Sequence, residues 1–318
     1  MKILLTDYDF ADIALEEALF KSAGIDLISA QCRTAQDVIK ASAGCDGLLV
    51  QYATVNDAVF QARPEIRIVS RFGAGFDTID TTDAKKHGVW VANSPDYGVG
   101  EVATHALAMV LALLRHIVSY DRDVKGGSWH FSTPGKLRRV SEMTLGILGL
   151  GRIGKRMAHI GRNSFKRVIA CDPYIIDGDF PAYVERVGLE ELFSGADAIS
   201  LHVPLSDETR GMVNGSLLHL MKPGSVIVNT ARGALIDIEA LLTELDAGRI
   251  DGAGLDVLPS EPPAPDSRIV QHPRVVVSPH AAFYSVVAEK ELRTKAAQNL
   301  VDWHKSGRPS YVVVEGAA

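Results

Sequence analysis

Cysteine is scarce: Cys32, Cys45 and Cys171 are the only three in 318 residues. None belongs to a CxxC pair or stands near a histidine at metal-ligand spacing, so neither a zinc or other metal site nor a disulfide framework is expected. Three small thiols in a reducing cytosol are the simpler reading. Long apolar runs are missing too. Met1-Lys2 leads straight into Ile3-Leu4-Leu5, with no charged segment ahead of an extended apolar one, so no secretory signal is expected. No stretch is long and unbroken enough to span a bilayer. Basic charge is also in short supply. The 33 Lys and Arg against 39 Asp and Glu give a formal net charge of -6, which argues against a nucleic-acid surface, because phosphate binding needs a basic face. These absences point to a cytoplasmic protein that engages neither membrane nor nucleic acid.

What is present is a globular composition, 47% hydrophobic and 23% charged, in a chain long enough for two domains and for a core without covalent staples. Short β-rich runs alternate with helical patterns, as in a parallel sheet with crossover helices. The first third carries strands at residues 2–6, 26–29, 47–50, 67–70 and 89–92, with helical stretches at 11–23 and 35–43. Residues 100–120 read as one helix, dense in Ala, Leu, Met and Val and free of proline and internal glycine, before a loop at 125–132 rich in glycine and aromatics. A second set of strands follows at 144–148, 167–171, 198–202, 225–229, 253–257 and 275–278, and residues 283–305 are helical again. No internal repeat is visible.

The second set opens on Gly149-Leu150-Gly151-Arg152-Ile153-Gly154. A strand precedes this GxGxxG, a helix follows, and Asp172 ends the next strand, which is the context of a dinucleotide fingerprint. Gly149 permits a tight turn, Gly151 lets the backbone approach a diphosphate, and Gly154 lets helix and strand pack closely. The helix N-terminus then offers unpaired N–H groups and a positive dipole to the anion, with Arg152 assisting. Asp172 would accept hydrogen bonds from ribose hydroxyls and repel a 2′-phosphate, so NAD is expected rather than NADP.

Ligands of open α/β sheets bind beyond the carboxyl ends of the strands. Beyond three strands of the second set come Thr230-Ala231-Arg232-Gly233, a loop carrying Glu261, and Pro279-His280-Ala281-Ala282. A carbonyl being reduced needs a proton donor, and histidine titrates nearest working pH. A glutamate beside it would orient the ring and favour the imidazolium, and arginine offers a fork of donors to a carboxylate or carbonyl oxygen. The first set shows the same habit, ending at Gln51-Tyr52-Ala53, at Arg71-Phe72-Gly73-Ala74-Gly75 and at Asn93. The amides of residues 73–75 suit a carboxylate, as in backbone anion nests.

With these residues in view, the chain resembles the D-2-hydroxyacid dehydrogenase family over nearly its full length, through residues 71–80, 146–154, 202–205, 229–233, 255–262 and 278–282. It is most similar to the C-terminal binding protein-like branch, in Arg71-Phe72-Gly73-Ala74-Gly75-Phe76-Asp77, in Asp172-Pro173-Tyr174 and in His280-Ala281-Ala282-Phe283-Tyr284-Ser285. The resemblance implies an α/β fold of two doubly wound parallel-sheet domains, a Rossmann cofactor domain (100–283) inserted in a flavodoxin-like substrate domain (1–99 plus 284–318). It implies Arg232, Glu261 and His280 as catalytic residues with His280 the acid/base. It implies cofactor contacts from Gly149, Gly151, Arg152, Ile153, Gly154, Asp172, Pro173, His202, Val203, Pro204, Thr209, Thr230 and Ala231, with Asp256 near the nicotinamide amide. Substrate contacts are implied for Arg71, Gly73, Ala74, Gly75 and Phe283, together with the D stereoisomer and a homodimer. Animal corepressors of that branch carry Trp where this chain has Phe283, which changes the size of the aromatic wall.

The expected reaction is therefore NAD-dependent interconversion of a small D-2-hydroxy acid and its 2-keto acid. An NAD-sensing, corepressor-like interaction protein is one alternative, since such proteins keep the same three residues. An NADP-linked glyoxylate or hydroxypyruvate reductase is another, and Asp172 speaks against it.

Overall fold

Strands with apolar residues on both faces belong to a sheet covered on both sides, and the chain opens with such strands. In the computed structural model, which describes residues 1–317, these are β1 (Lys2–Leu5), β2 (Asp26–Ser29), β3 (Gly47–Val50), β4 (Ile68–Arg71) and β5 (Trp90–Ala92). A second series follows: β6 (Thr144–Leu148), β7 (Arg167–Cys171), β8 (Val184–Arg186), β9 (Ala198–Leu201), β10 (Ser225–Asn229), β11 (Ile250–Leu255) and β12 (Val275–Val277). The chain closes with β13 (Val312–Val314). Two units result, one of Met1–Gly98 with Ser285–Ala318, the other of Val99–Tyr284; Ala318, the end of the expected substrate domain, lies outside the described residues.

The first unit has the sheet order β13-β5-β4-β3-β1-β2, parallel except that β13 runs antiparallel to β5. Winding reverses between β1 and β3, the place where an open sheet of this kind parts its loops into a crevice. The helix Val286–Ser306 starts on Ser285, whose hydroxyl accepts from the Ala288 amide at 3.0 Å, an N-cap that satisfies one of the helix's orphan donors. It is tied to this sheet from within: Ser70 donates to the Ala296 carbonyl at 2.8 Å, and Asn299 to the Asn93 carbonyl at 2.9 Å. Arg293 clasps the buried Glu16 through two bonds of 2.8 and 2.7 Å. Removing either member would strand a buried charge.

The second unit has the order β12-β11-β10-β9-β6-β7-β8, all parallel. One face carries a core built around Ile169, Phe193, Ile199, Ile227 and Leu241, the other around Met109, Leu145, Ile147, Met157 and Val228. Its winding reverses between β6 and β9. The doubly wound parallel class expected from the sequence is thus borne out in both sheets.

Three local expectations need correction. Residues 100–120 do not form one helix: Val99–Leu114 and Ile117–Lys125 are separate and bent by 59°. His116 at the break takes a left-handed φ of 51°, and its imidazole sits 2.9 Å from the Asp251 carboxylate. That tertiary pair overrides an unbroken helical pattern. The strands β8 and β13 were not expected. Each is three residues long and lies at a sheet edge, where pairing rather than periodicity makes the strand.

Candidate active site

The turn after β6 is shaped by what its glycines must avoid. Gly149 adopts φ 88°, and a Cβ there would press on the backbone of His202 at 2.8 Å. A Cβ at Gly154 would collide with the Gly149 carbonyl, so this glycine is what lets the helix Arg152–Gly161 lie against its strand. Gly151 is the N-cap of that helix, with no side-chain cap, and a Cβ there would meet nothing within 4 Å. The helix end therefore faces open space with its first N–H groups uncapped, which is what a diphosphate needs. Arg152 is exposed and Ile153 half-buried beside it.

Asp172 stands at the end of β7 with each carboxylate oxygen accepting one backbone amide, Leu150 at 2.8 Å and Tyr174 at 3.0 Å. The first bond ties the acid to the glycine turn; each oxygen keeps capacity for a further donor. Pro173 follows, exposed. Across the reversal point lie His202, Val203 and Pro204. Burial pushes the His202 imidazole down to about 4, so the ring is neutral at working pH, with Nε2 2.9 Å from the Ser200 hydroxyl. Thr209 donates to the Pro204 carbonyl at 2.7 Å and pins this loop.

Beyond β10, buried Asn229 clamps the turn: its Oδ1 accepts from the Ala231 amide at 3.0 Å and its Nδ2 donates to the Arg232 carbonyl at 2.8 Å. The Thr230 hydroxyl oxygen is buried and has no hydrogen-bond partner among the described residues. A Cβ at Gly233 would overlap the Leu258 carbonyl and the Pro259 nitrogen, so this loop lies directly against the one carrying Glu261. Glu261 accepts the Leu258 amide on Oε1 at 2.8 Å, and its Oε2 is 2.7 Å from His280 Nδ1. Burial alone would raise the Glu261 carboxyl. The bond to His280, that ring's charge, the Leu258 amide and nearby Arg232 outweigh it and hold the group below the ordinary glutamate range. Glu261 thus stays ionised, a fixed negative partner for the Nδ1 side of the His280 ring. Arg232, Glu261 and His280 are brought together at the ends of β10, β11 and β12.

His280 itself is held in an uncommon conformation, φ 53°, in a region that non-glycine residues enter rarely. Asp256, 2% exposed, explains how. Its Oδ1 accepts the Ser278 hydroxyl at 2.5 Å and the Ala281 amide at 2.8 Å, its Oδ2 accepts the Ala282 amide at 3.0 Å, and its carbonyl accepts the His280 amide at 2.8 Å. His105 Nε2 lies 2.9 Å from the Ser278 hydroxyl and extends the network. Asp256, expected near a nicotinamide amide, is thus engaged mainly with the histidine turn. Phe283 sits edge-on to Tyr284, ring centroids 6.4 Å apart. Asn229, Ser278 and His105 were not singled out from the sequence; only the small polar residues in the 229–233 and 278–282 stretches hinted at them.

In the first unit, Arg71 ends β4. Gly73, at φ 139°, runs so close beneath it that a Cβ would collide with the guanidinium. Among the described residues no acceptor meets the amides of Gly73, Ala74 or Gly75, while the Ala74 carbonyl is held by Asn93 Nδ2 at 2.6 Å. The loop is thereby fixed with its N–H groups available.

Residues 107–282 match the family described as D-isomer specific 2-hydroxyacid dehydrogenase, NAD binding domain. The chain belongs to that family. It is 36% identical to a glyoxylate reductase of Korarchaeum cryptofilum over 282 residues, 87% of this chain and 85% of the relative. It is 34% identical to a D-3-phosphoglycerate dehydrogenase of Bacillus subtilis over 91% of this chain but only 54% of the relative, so it spans about half that protein's length. Among solved structures, a D-lactate dehydrogenase of Aquifex aeolicus complexed with NAD and lactic acid superposes with a TM-score of 0.89 at 26% identity, covering 99% of this chain and 100% of that one. As a member of that family the chain is an NAD-dependent oxidoreductase acting on a CH–OH group. The clearance at Gly151 and the Thr230 hydroxyl fit the dinucleotide that this family binds; residues 149–154 could hold its diphosphate, Asp172 its ribose and Thr230-Ala231 the part nearer its ring. When bound, NAD carries hydride to or from the reacting carbon. Among the described residues no cluster of His, Cys, Asp and Glu could hold a metal ion.

Proposed function

We propose that the chain interconverts a small D-2-hydroxy acid and its 2-keto acid, with His280 as acid/base, Glu261 orienting its ring and Arg232 binding the substrate's carboxylate or carbonyl oxygen. The observation that carries this reading is the 2.7 Å bond between His280 Nδ1 and Glu261 Oε2, in the unit that holds the dinucleotide turn. Reduction takes a proton from His280 Nε2 onto the carbonyl oxygen, and oxidation returns it. Arg71 and the amides of residues 73–75 are the proposed carboxylate holders, Phe283 a wall for the substituent, and residues 1–99 with 284–318 the proposed substrate domain. The cofactor contacts in this proposal are those given above, including Pro173, Val203, Pro204 and Thr209. The acid at 172 supports NAD over NADP.

A short substrate such as glyoxylate is favoured by the reductase relative, which matches this chain across most of both lengths. A place in the C-terminal binding protein-like branch rests on the motifs around Arg71, Asp172 and His280. A homodimer is supported by the helix Ile117–Lys125, which buries none of its residues, and by Trp129 and Phe131, 86% and 82% exposed, aromatics a monomer seldom leaves in water. A cytoplasmic location is supported by three free cysteines, since a reducing compartment keeps thiols unpaired. The test is a panel of 2-keto acids with NADH and NADPH. Turnover with NADH is expected, and His280→Ala should lower kcat by roughly 10²- to 10⁴-fold, the usual worth of a positioned acid. Near wild-type turnover by that variant would refute the assignment.

A further inference from the structure

The loops that follow β1 and β3 flank the point where the first unit's winding reverses, the crevice where an open sheet takes its ligand. They are locked to one another by carboxylates. Buried Asp7 accepts the Tyr52 amide at 2.7 Å and the Ala53 amide at 3.2 Å, and so fixes the loop after β3. Asp9 is different. It is exposed, yet both of its oxygens are held: Oδ1 accepts Gln51 Nε2 at 2.5 Å and Oδ2 accepts the Tyr52 hydroxyl at 3.0 Å. Gln51 is 4% exposed, and its Oε1 accepts the Asp9 amide at 3.1 Å, so the carboxylate is anchored from below rather than free to swing away. Among the described residues no cation lies within ion-pair distance of Asp9. β3 pairs with β4 in the register Val50 to Arg71. Tyr52 therefore emerges beside the Arg71 loop, near enough for the guanidinium to oppose the rise that burial and Asp9 impose on the Tyr52 phenol. An immobilised negative charge with no ion-pair partner among the described residues thus stands at the crevice that also bears the proposed carboxylate holder.

Resting on the proposed 2-keto acid reaction, we propose that Asp9 is a specificity-determining residue that selects substrates with a single negative charge. Arg71 and the neighbouring amides attract the carboxylate every substrate must have, whereas a second anion on the substituent, a phosphate or distal carboxylate, meets Asp9. A substituent that is neutral, or that carries a hydrogen-bond donor, can share the Asp9 oxygens with Gln51 and Tyr52. The named phosphoglycerate dehydrogenases are relatives of similar identity, so overall similarity leaves this preference undecided, whereas a single charge decides it.

The experiment compares kcat/KM for hydroxypyruvate and for its 3-phosphate, and for pyruvate and oxaloacetate, with NADH and the full chain. A like charge within roughly 8 Å at a partly exposed site changes binding by about 10- to 30-fold. Asp9→Asn, which keeps shape and removes charge, should raise the ratio of dianionic to monoanionic kcat/KM by that factor in both pairs. Tyr52→Phe keeps the charge and should move the ratio less than about threefold on the same scale. In the wild-type enzyme the discrimination should shrink in about 1 M salt, where the screening length is about 3 Å; this arm stands even if Asp9→Asn does not fold. A wild-type enzyme that uses the phosphorylated acid as well as the plain one overturns the proposal, as does a ratio that neither Asp9→Asn nor salt moves. Absence of turnover with every acid overturns the underlying reaction instead, and is told apart because then no ratio exists.

Discussion

Gly151→Ala separates a ligand cradle from a mere turn. The protein itself has room for the added methyl, since nothing lies within 4 Å of a Cβ at that position, and its φ of -67° is one an alanine accepts. Replacing glycine at a compatible position stabilises a fold by about 0.4–1 kcal/mol through the unfolded chain, so the variant should melt no lower than the wild type without cofactor. The methyl does, however, occupy the space in front of the uncapped helix end. Displacing the diphosphate far enough to lose one charge-assisted amide bond costs about 1.5–3 kcal/mol, which is roughly a 10- to 100-fold rise in Kd at 1.4 kcal/mol per decade. Quenching of protein fluorescence by NADH gives the Kd, and a thermal melt checks the fold. An intact variant that binds NADH within twofold of wild type would refute the placement of the diphosphate at this helix end.

The remaining expectations concern the histidine turn. Because Glu261 is held below the ordinary glutamate range, its contribution is present above the ordinary value of roughly 4.3 and is lost only as pH falls through the depressed one. Reductase activity should therefore persist below that ordinary value wherever circular dichroism shows the fold intact, whereas Glu261→Gln should lack this acid break; a shared break would locate it elsewhere. Asp256→Asn leaves at least one donor among Ser278 and the Ala281 and Ala282 amides without an acceptor, a loss of about 1–3 kcal/mol. A lower melting temperature together with a reduced kcat is expected, and an unchanged kcat would show that the His280 turn does not depend on that carboxylate.

The sequence carried the sheets well where the strands run four or five residues, central or, like residues 26–29, at an edge. Residues 26–29, 47–50, 144–148, 167–171 and 225–229 were delimited to the residue, because apolar runs end there on turn-forming residues. It carried β8 and β13 poorly, since a three-residue edge strand has no periodicity of its own. The break at His116 was invisible because its cause, Asp251, lies 135 positions away along the chain. The site divides the same way. The glycine turn and Asp172 are legible because their geometry is local to one β-α-β unit. The bond between His280 and Glu261 followed from both lying at strand ends. The Asn229 clamp and the hold of Asp256 on residues 278–282 were not legible, because each depends on which loops fold against one another.

The first unit is discontinuous, and that sets an order of events during synthesis. Its sheet needs β13, and its covering helix Val286–Ser306 carries the Arg293 that satisfies buried Glu16. Ribosomes add about 5–20 residues per second, so the opening 98 residues wait, unfinished, while the whole intervening unit, which has a sheet and cores of its own, is translated. A nascent chain arrested shortly before Val286 should accordingly present a protease-resistant middle flanked by a digestible beginning.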